Sequence, residues 1–177
     1  MRRYLTFAEF KSELAPHFGL GLEGYATWTS PIRKYSDMVN HRLIKAVLTQ
    51  QACNKPQDEV LARLQEARRQ NRLVERDIAD WLYCRHLADK VAENAEFDAE
   101  VQDVMRGGLR VQLLENGASM FVPASTLHPN KDEMQVNADE LALYIQGERR
   151  YKIGDLVKVK LTEVKEATRS IIGQLII

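Results

Sequence analysis

The residues best suited to chemistry lie in one short stretch, Gly24–Tyr35, which reads GYATWTSPIRKY. Ser30 and Pro31 predict a helix start, because serine caps free amides and proline fits the first helical position. Arg33 would then lie at the positive end of the helix dipole, where a cation is unfavourable by roughly a few tenths of a kcal/mol. A bound anion removes that conflict, and a phosphate oxygen suits amides beside a guanidinium. The stretch predicts a phosphate-binding Arg33; the alternative is that Arg33 extends into water or pairs with Asp37.

The first half of the chain has apolar residues at helical spacing. One helix is predicted after Pro31, a loop over residues 50–56, and a second helix from about Gln57 as far as Lys90. The second helix is longer than most, so we expect a break or extensive packing. Its stripe is expected to be a core face and consists of Val60, Leu64, Ala67, Val74, Ile78 and Trp81.

The second half alternates apolar and polar residues instead, which is typical of strands. Asn116-Gly117 is a strong hairpin signal. Strands are predicted over 97–104, 109–113, 118–122, 156–164 and 170–176, with a further ribbon around 141–151. Five or six short antiparallel strands in this length favour a small Greek-key barrel of the OB-fold type. The predicted fold class is therefore α+β, with residues 1–92 helical and residues 93–177 forming the barrel.

Composition describes an ordinary globular chain of 177 residues with no net charge. Residues 1–90 carry 15 basic and 11 acidic side chains, about +4, whereas residues 91–177 carry 10 and 14, about −4. Cys53 and Cys84 lack metal or redox spacing, so we expect free thiols. No apolar run is long enough for a membrane span and no secretory signal is visible, so we expect a cytoplasmic protein with no membrane partner.

The glycines of Gly19–Gly24 match G-x-G-x-x-G, a pattern of dinucleotide-binding sites. That site requires a strand before the motif and a helix after it, and residues 12–18 contain Pro16 and no strand pattern. We therefore reject a nicotinamide-dependent oxidoreductase. The glycines are expected to let the backbone pass close to another surface.

Residues Tyr25–Asp37 with His41–Leu43 resemble the signature of the ribonuclease II family, a group of hydrolytic 3′→5′ exoribonucleases. Asn71–Asp77, which reads NRLVERD, resembles a segment that follows that signature. The predicted barrel is similar to the ribosomal-protein-type OB domain that closes these enzymes. The resemblance covers essentially the whole chain and implies the end of a catalytic domain followed by an RNA-binding barrel.

The resemblance also implies roles for individual residues. Arg33 matches the catalytic arginine that contacts the scissile phosphate and stabilises its developing charge. Glu75 matches an acidic residue near the 3′-terminal nucleotide, although a surface pair with Arg72 is the plainer interpretation from spacing. Tyr35 is expected to contact RNA. Further aromatics, Tyr25 and Trp28, could stack on bases but are expected to be core residues.

The family is expected to use Mg²⁺ held by clustered aspartates. This sequence has no dense aspartate run, and in the family that run lies upstream of the matching segment. We therefore expect no metal ligands in this chain, Mg²⁺ only in the intact enzyme, and no hydrolysis by the chain alone. The stripes of residues 1–90 would then lack their usual cover, so we expect exposed apolar surface and self-association.

Single-stranded RNA is the expected partner of the barrel. Arg110 and Phe121 are the RNA-binding candidates there, and Phe97 is the aromatic most expected to be buried. Leu109 replaces an aromatic that such domains often carry, so only weak, salt-sensitive binding is expected. The alternative function is a stand-alone, non-catalytic module that binds RNA or protein.

Overall fold

The chain forms a mixed α+β structure in a computed structural model that describes residues 8–176. Residues 1–7, the beginning of the predicted helical part, and residue 177 lie outside the described residues. The backbone divides into two compact units, of which one ends at Val74 and the other begins at Glu75. The boundary expected from the sequence at residues 92 and 93 stays a prediction.

Two helices account for most of the regular structure before the strands. Helix α1 runs over Tyr35–Leu48 and helix α2 over Asp58–Leu87, with irregular backbone between them. The predicted loop at residues 50–56 is therefore confirmed. Helix α2 is continuous for 30 residues, so the expected break is wrong. It contributes its first part to one unit and its end to the other.

The predicted helix start at Ser30 and Pro31 is wrong by several residues. Residues 31–33 form a separate turn, and Lys34, with extended backbone (φ −121°, ψ 111°), is the residue that precedes α1. Arg33 consequently does not lie in the first turn of the helix. The conflict between Arg33 and the helix dipole, from which the phosphate prediction began, does not exist in the folded chain.

Side chains of the first unit are mostly exposed. Among its described residues only Asp37 and Ala46 are buried. The expected core face of α2 is also wrong over its middle, where Val74, Ile78 and Trp81 remain 54%, 52% and 38% exposed. An apolar stripe is buried only when a second apolar surface packs against it, and spacing alone does not supply that surface.

The glycine motif forms a short turn rather than a nucleotide loop. A 3₁₀ turn at Phe18–Leu20 ends at Gly21, whose φ of 62° suits glycine. At Gly24 a Cβ atom would lie 2.3 Å from Leu14 Cδ1. The prediction that these glycines permit a close backbone approach is confirmed at Gly24.

The second unit, as far as the structure describes it, contains eight strands. They are β1 Glu96–Met105, β2 Gly108–Leu113, β3 Ser119–Pro123, β4 Met134–Asn137, β5 Ala142–Ile145, β6 Glu148–Lys152, β7 Leu156–Lys165 and β8 Ser170–Leu175. Strands β1, β2, β3, β8 and β7 close into a barrel in that order, and β4, β5 and β6 form a separate antiparallel sheet. The closed five-stranded, OB-like barrel confirms the predicted barrel, but β3 and β8 pair in parallel, so the expectation of antiparallel strands throughout is wrong at that pair, and β4 was missed.

Alternation along the strands explains the closed barrel. In β2 the side chains alternate between buried and exposed after Leu109, and odd-numbered residues also enter the core from β7 and from β1 up to Val101. Beyond the register shift in β1, the buried residue is the even-numbered Val104. The core includes Phe97, as predicted, with an exposed fraction of 7%. Register shifts between Val101 and Asp103 and between Leu161 and Glu163 bend β1 and β7, which helps so few strands close.

The end of α2 is part of the barrel unit. Cys84 and Leu87 are fully buried in the barrel core cluster. The Tyr83 hydroxyl donates to the Asn116 carbonyl at 3.0 Å, next to the predicted hairpin turn at Gly117. Arg169, in the β7–β8 loop, forms an ion pair with Asp77 of α2 at 2.6 Å. The last turns of α2 therefore stabilise the barrel at two of its loops.

Both cysteines are free thiols, as predicted, with Cys53 exposed and Cys84 buried. Within residues 8–176, no helix combines the length and the apolar character needed to cross a bilayer.

Candidate nucleic-acid interface

Arg33 lies on a hydrogen-bonded turn, Ser30–Lys34, which we call the arginine turn. The Ser30 carbonyl accepts from the Arg33 amide at 3.3 Å and from the Lys34 amide at 2.9 Å. The Arg33 side chain is exposed, and within residues 8–176 it forms no ion pair. The alternative pairing of Arg33 with Asp37 is therefore wrong, whereas the other alternative, extension of Arg33 into water, agrees with its exposure. An exposed guanidinium of this kind can donate hydrogen bonds to a ligand.

Helix α1 holds the segment before the arginine turn through side chains of one helical face. Asn40 Nδ2 donates to the Thr27 carbonyl at 2.7 Å, and His41 Nε2 bonds the Trp28 carbonyl at 2.8 Å. The His41 ring also stacks on Trp28, with 4.5 Å between ring centroids. These bonds replace a hydrophobic core as the means of ordering residues 27–30.

Asp37 is the charged residue at the centre of this arrangement, and it is fully buried. Its Oδ2 accepts from the Ser30 amide at 2.9 Å, and its Oδ1 accepts from the Ser36 hydroxyl at 3.3 Å. Hydrogen bonding from Thr27 holds the pKa of Asp37 below its ordinary value, while desolvation opposes that shift. A buried carboxylate with these partners remains ionised at neutral pH.

Aromatic side chains near the arginine turn are exposed. Tyr25, Trp28 and Tyr35 retain 59%, 43% and 53% of their surface. The expectation that Tyr25 and Trp28 are core residues is wrong, because the first unit offers them ring partners, His17 for Tyr25 and His41 for Trp28, rather than an apolar interior. Exposed rings beside an exposed arginine are suited to nucleotides.

The barrel presents a second candidate surface on the outer face of β2 and β3. Arg110 and Phe121 are directly opposite each other in the β2–β3 pairing. Arg110 is exposed and Phe121 half-buried. A Cβ at position 107 would lie 3.7 Å from Phe121 Cζ, so Gly107 leaves this part of the ring uncovered. A cation beside an accessible ring suits a stacked base and its phosphate.

The opposite outer face, on β1 and β7, has a different electrostatic character. Lys158 lies opposite Asp98 in register, with 3.9 Å between Nζ and Oδ1. Lys160 likewise lies opposite Glu96. Acidic neighbours thus compensate these two lysines, and the β2–β3 face is the better candidate for a polyanion.

Leu109 does not weaken the β2–β3 face in the way expected from the sequence. Its side chain is fully buried in the barrel core. An aromatic at this position would therefore enter the core instead of offering a ring to solvent. The surface aromatic of this strand pair is Phe121, on the neighbouring strand.

The structure brings some of the predicted site residues together. Arg110 and Phe121 are cross-strand neighbours in the second unit, whereas Arg33 and Tyr35 are near each other only because they are two residues apart in the sequence. Glu75 is the first residue of the second unit; it is exposed, and in the described part of the chain it forms no ion pair, with Arg72 or another residue.

Sequence reasoning missed the residues that order these surfaces. Asp37, Asn40 and His41 follow helical spacing, and a polar stripe of this kind beside a turn is the signal that could have revealed them. The ion pair between Asp77 and Arg169 joins positions far apart in sequence, so no local pattern predicts it.

Family comparisons match both ends of the chain. The RNB domain matches residues 1–50, and the S1 RNA binding domain matches residues 90–175. The arginine turn lies inside the first match and the barrel inside the second.

Curated relatives are much longer proteins. Exoribonuclease 2 of Haemophilus influenzae (strain 86-028NP) is 86% identical over 99% of this chain, which spans 27% of that relative. Exoribonuclease 2 of Pasteurella multocida is 74% identical over 99% of this chain, again spanning 27% of the relative. The chain thus spans about a quarter of the length of the relatives it matches.

A solved structure shares the fold at low sequence identity. Mycoplasma genitalium RNase R in complex with ribose methylated single-stranded RNA aligns with a TM-score of 0.82 and 24% identity, covering 98% of this chain and 28% of the other. Sequence identity to the exoribonuclease 2 proteins, with the RNB and S1 matches, therefore shows that this chain belongs to the bacterial exoribonuclease 2 family.

Proposed function

We propose that this chain is part of a hydrolytic exoribonuclease that degrades single-stranded RNA processively from the 3′ end to nucleoside 5′-monophosphates. The observation that carries the proposal is Arg33, exposed and without an ion pair among residues 8–176, on an ordered turn within the RNB match. The high identity to proteins named Exoribonuclease 2 supports it.

The role proposed for Arg33 is electrostatic. Its guanidinium can donate two parallel hydrogen bonds to phosphate oxygens and stabilise negative charge that develops there. Tyr35, also exposed, is proposed to contact the adjacent nucleotide, and Glu75 to lie near the 3′-terminal one. Both side chains are exposed, and Glu75 forms no ion pair within residues 8–176.

The barrel is proposed to guide the strand. Phe121 stacks on a base and Arg110 contacts a phosphate, while the β1–β7 face stays free of RNA. Because the guanidinium contact displaces counterions, affinity falls as salt concentration rises. This binding is weak in the isolated chain, since one ring and one cation make few contacts.

Metal chemistry is proposed for the intact enzyme rather than for this chain. A two-metal site needs several carboxylates close together. Within residues 8–176 no three His, Cys, Asp or Glu side chains cluster in a way that could hold a metal ion. The described residues therefore do not fit Mg²⁺. We expect the isolated chain not to hydrolyse RNA.

A chimera tests the proposed function. In Haemophilus influenzae exoribonuclease 2 the matching quarter is replaced by this chain, and release of nucleoside monophosphates from a 3′-labelled oligoribonucleotide is measured. Arg33→Ala should lower kcat by about 10²–10³-fold, as loss of one donor to developing charge does. Arg63→Ala, which removes an exposed arginine outside the RNB match, should leave kcat unchanged.

An inactive chimera, or an unaffected kcat in Arg33→Ala, would contradict the proposal. Release of monophosphates by the 177-residue chain alone, abolished by Arg33→Ala, would contradict its expected inactivity. The stand-alone binding module is the second candidate, favoured by the closed core of the barrel. It predicts an inactive chimera together with RNA or protein binding by the chain that Arg33→Ala leaves unchanged.

A further inference from the structure

The buried Asp37 is connected to Arg33 through one residue, Ser30. The Ser30 amide donates to Asp37 Oδ2 at 2.9 Å, and the Ser30 carbonyl accepts from the Arg33 amide at 3.3 Å. Both polar groups of the Ser30 backbone are thus engaged, one with the carboxylate and one with the arginine turn. A change at Asp37 reaches Arg33 through two hydrogen bonds and no intervening side chain.

The burial of the Asp37 carboxylate on helix α1 is unusual. A buried charge is costly unless several hydrogen bonds compensate it. Asp37 is fully buried, although the unit around it buries little else, and it receives bonds from Ser30, Ser36 and Thr27. Capping of the helix does not explain this burial. The residue that precedes α1 is Lys34, and it makes no side-chain capping bond.

Arg33 needs such an anchor because its own side chain has none. The guanidinium is exposed and without an ion pair in the described residues, and the neighbouring Ile32 is completely exposed. No side-chain packing of these two residues fixes the turn. Its order therefore depends on the backbone bonds to Ser30.

We propose that Asp37 is a positioning residue that fixes the arginine turn and thereby aims the Arg33 guanidinium at an RNA phosphate. The part concerning phosphate rests on the proposed function; the part concerning the turn does not. Asp37 itself touches no substrate, because its carboxylate is enclosed by Ser30, Ser36 and Thr27.

Amide hydrogen exchange on the 177-residue chain tests the positioning alone. Asp37→Asn should speed exchange of the Arg33 and Lys34 amides by about tenfold or more, because a turn that opens locally loses protection. Asp58→Asn is the matched control: Asp58 is exposed in the first turn of α2, and its change should leave both amides unaffected. Unchanged protection in Asp37→Asn would overturn the proposal.

Protection of the Ala46 amide reports whether α1 remains folded. If Asp37→Asn unfolds the helix, Thr27→Val is the second variant, since it removes one hydrogen bond to the carboxylate and keeps the charge. A smaller acceleration at Arg33 in the same direction is expected. Normal exchange at Arg33 in Thr27→Val would then count against the proposal.

The chimera tests the link to RNA. Asp37→Asn should lower kcat about tenfold or more and leave KM within about twofold. The reason is that a misplaced Arg33 loses a contact made in the transition state, whereas binding of the ground-state RNA is kept. In the Arg33→Ala background the same change should have an effect below about twofold, because the two act as a unit. If the losses of kcat caused by Asp37→Asn and Arg33→Ala multiply in the double variant, Asp37 does not act through Arg33 and the proposal is overturned.

The two proposals can fail separately. If Arg33→Ala itself leaves kcat intact, the proposed function fails, and the exchange experiment still decides whether Asp37 fixes the turn.

Discussion

The two units of this chain order their residues by different means. The second unit buries a continuous apolar cluster inside a closed barrel, sealed by Cys84 and Leu87 of α2. In the described part of the first unit only Asp37 and Ala46 are buried, and large apolar side chains such as Phe18 and Ile32 are exposed. Burial stabilises one unit, whereas hydrogen bonds to a single helix face order the other.

Because of this difference, substitutions that affect stability and substitutions that affect the candidate RNA contacts fall at different places in the molecule. The barrel needs no other surface to bury its core, and its candidate RNA contacts lie on an outer face where substitutions leave the core intact. The arginine turn has little packing around it, so a small change in its hydrogen bonds can alter its position. Substitutions in the two units should therefore have effects of different kinds.

Removal of a core side chain from the barrel should have the largest effect. Leu113→Ala should lower the free energy of unfolding of the second unit by about 2–5 kcal/mol, since it removes a buried side chain and leaves a cavity. Leu113 is 1% exposed and its neighbour Leu114 is 53% exposed. Urea unfolding followed by circular dichroism measures the change. Leu114→Ala, the matched control, should change stability by less than about 0.5 kcal/mol; equal losses in the two variants would show that the barrel core is not where the structure places it.

Loss of the ring at Phe121 should weaken RNA binding by the next largest amount. Phe121→Leu keeps apolar contact but removes the stacking surface, which is worth about 1–3 kcal/mol per base. Fluorescence anisotropy with a labelled single-stranded oligoribonucleotide at low salt measures the affinity. Tyr144→Leu removes an aromatic of similar exposure from β5 in the separate sheet and should leave affinity unchanged. A greater loss in Tyr144→Leu would move the RNA surface away from β2 and β3.

Self-association should depend on the first unit alone. Leu48→Lys places a charge among apolar side chains that lack cover, and it should weaken association by about tenfold, equivalent to about 1.4 kcal/mol. Leu48 is 77% exposed, and Leu156 of the barrel is 73% exposed. Analytical ultracentrifugation over a concentration series measures the difference. Leu156→Lys should have no effect, and a chain that is monomeric at every concentration would remove the basis for this expectation.

The sequence predicted the barrel better than the arginine turn for a physical reason. Alternation in β2 and the Asn116-Gly117 hairpin are local patterns, and such patterns predict the pairing of consecutive strands such as β2 and β3. The pairs that close the barrel, β1 with β7 and β3 with β8, join strands far apart in sequence. The burial of Asp37 is not local information, because it depends on Ser30 and Thr27 folding back onto α1. The stripe of α2 through Val74 had the right period but no partner surface, so a correct helix prediction led to a wrong core prediction.

The identity of the site residues came from resemblance rather than from geometry. Arg33 does not lie at a helix start, because Lys34 is the residue that precedes α1, so the helix dipole gives no reason to expect a phosphate there. What supports a phosphate contact now is the exposure of Arg33 and its place in the RNB match. Glu75 has no such structural support, since exposure on a helix surface is ordinary for glutamate.

Acid should open the first unit before the barrel, and this effect should be smaller than those of the substitutions above. In the folded chain the pKa of Asp37 lies below its ordinary value of 3.8, so the unfolded chain takes up the proton first as pH falls. The stabilisation that Asp37 contributes is fully present above its unfolded pKa and is lost as pH falls through the folded one. Fluorescence of Trp28 in a Trp81→Phe background, followed from pH 6 down to about pH 2, measures the opening, and in Asp37→Asn this dependence should be absent.

Glu66 is the necessary control for that measurement, because it is a second carboxyl of the same unit whose pKa is lowered in the folded chain. Hydrogen bonds from Arg69 and Gln70 lower its pKa to about 2. Its carboxylate is exposed to solvent, so its pair with Arg69 should contribute little to stability. Glu66→Gln should therefore retain the acid transition seen at Trp28. If Glu66→Gln removed the transition and Asp37→Asn retained it, the order of the first unit would depend on the surface of α2 rather than on the buried carboxylate beneath the arginine turn.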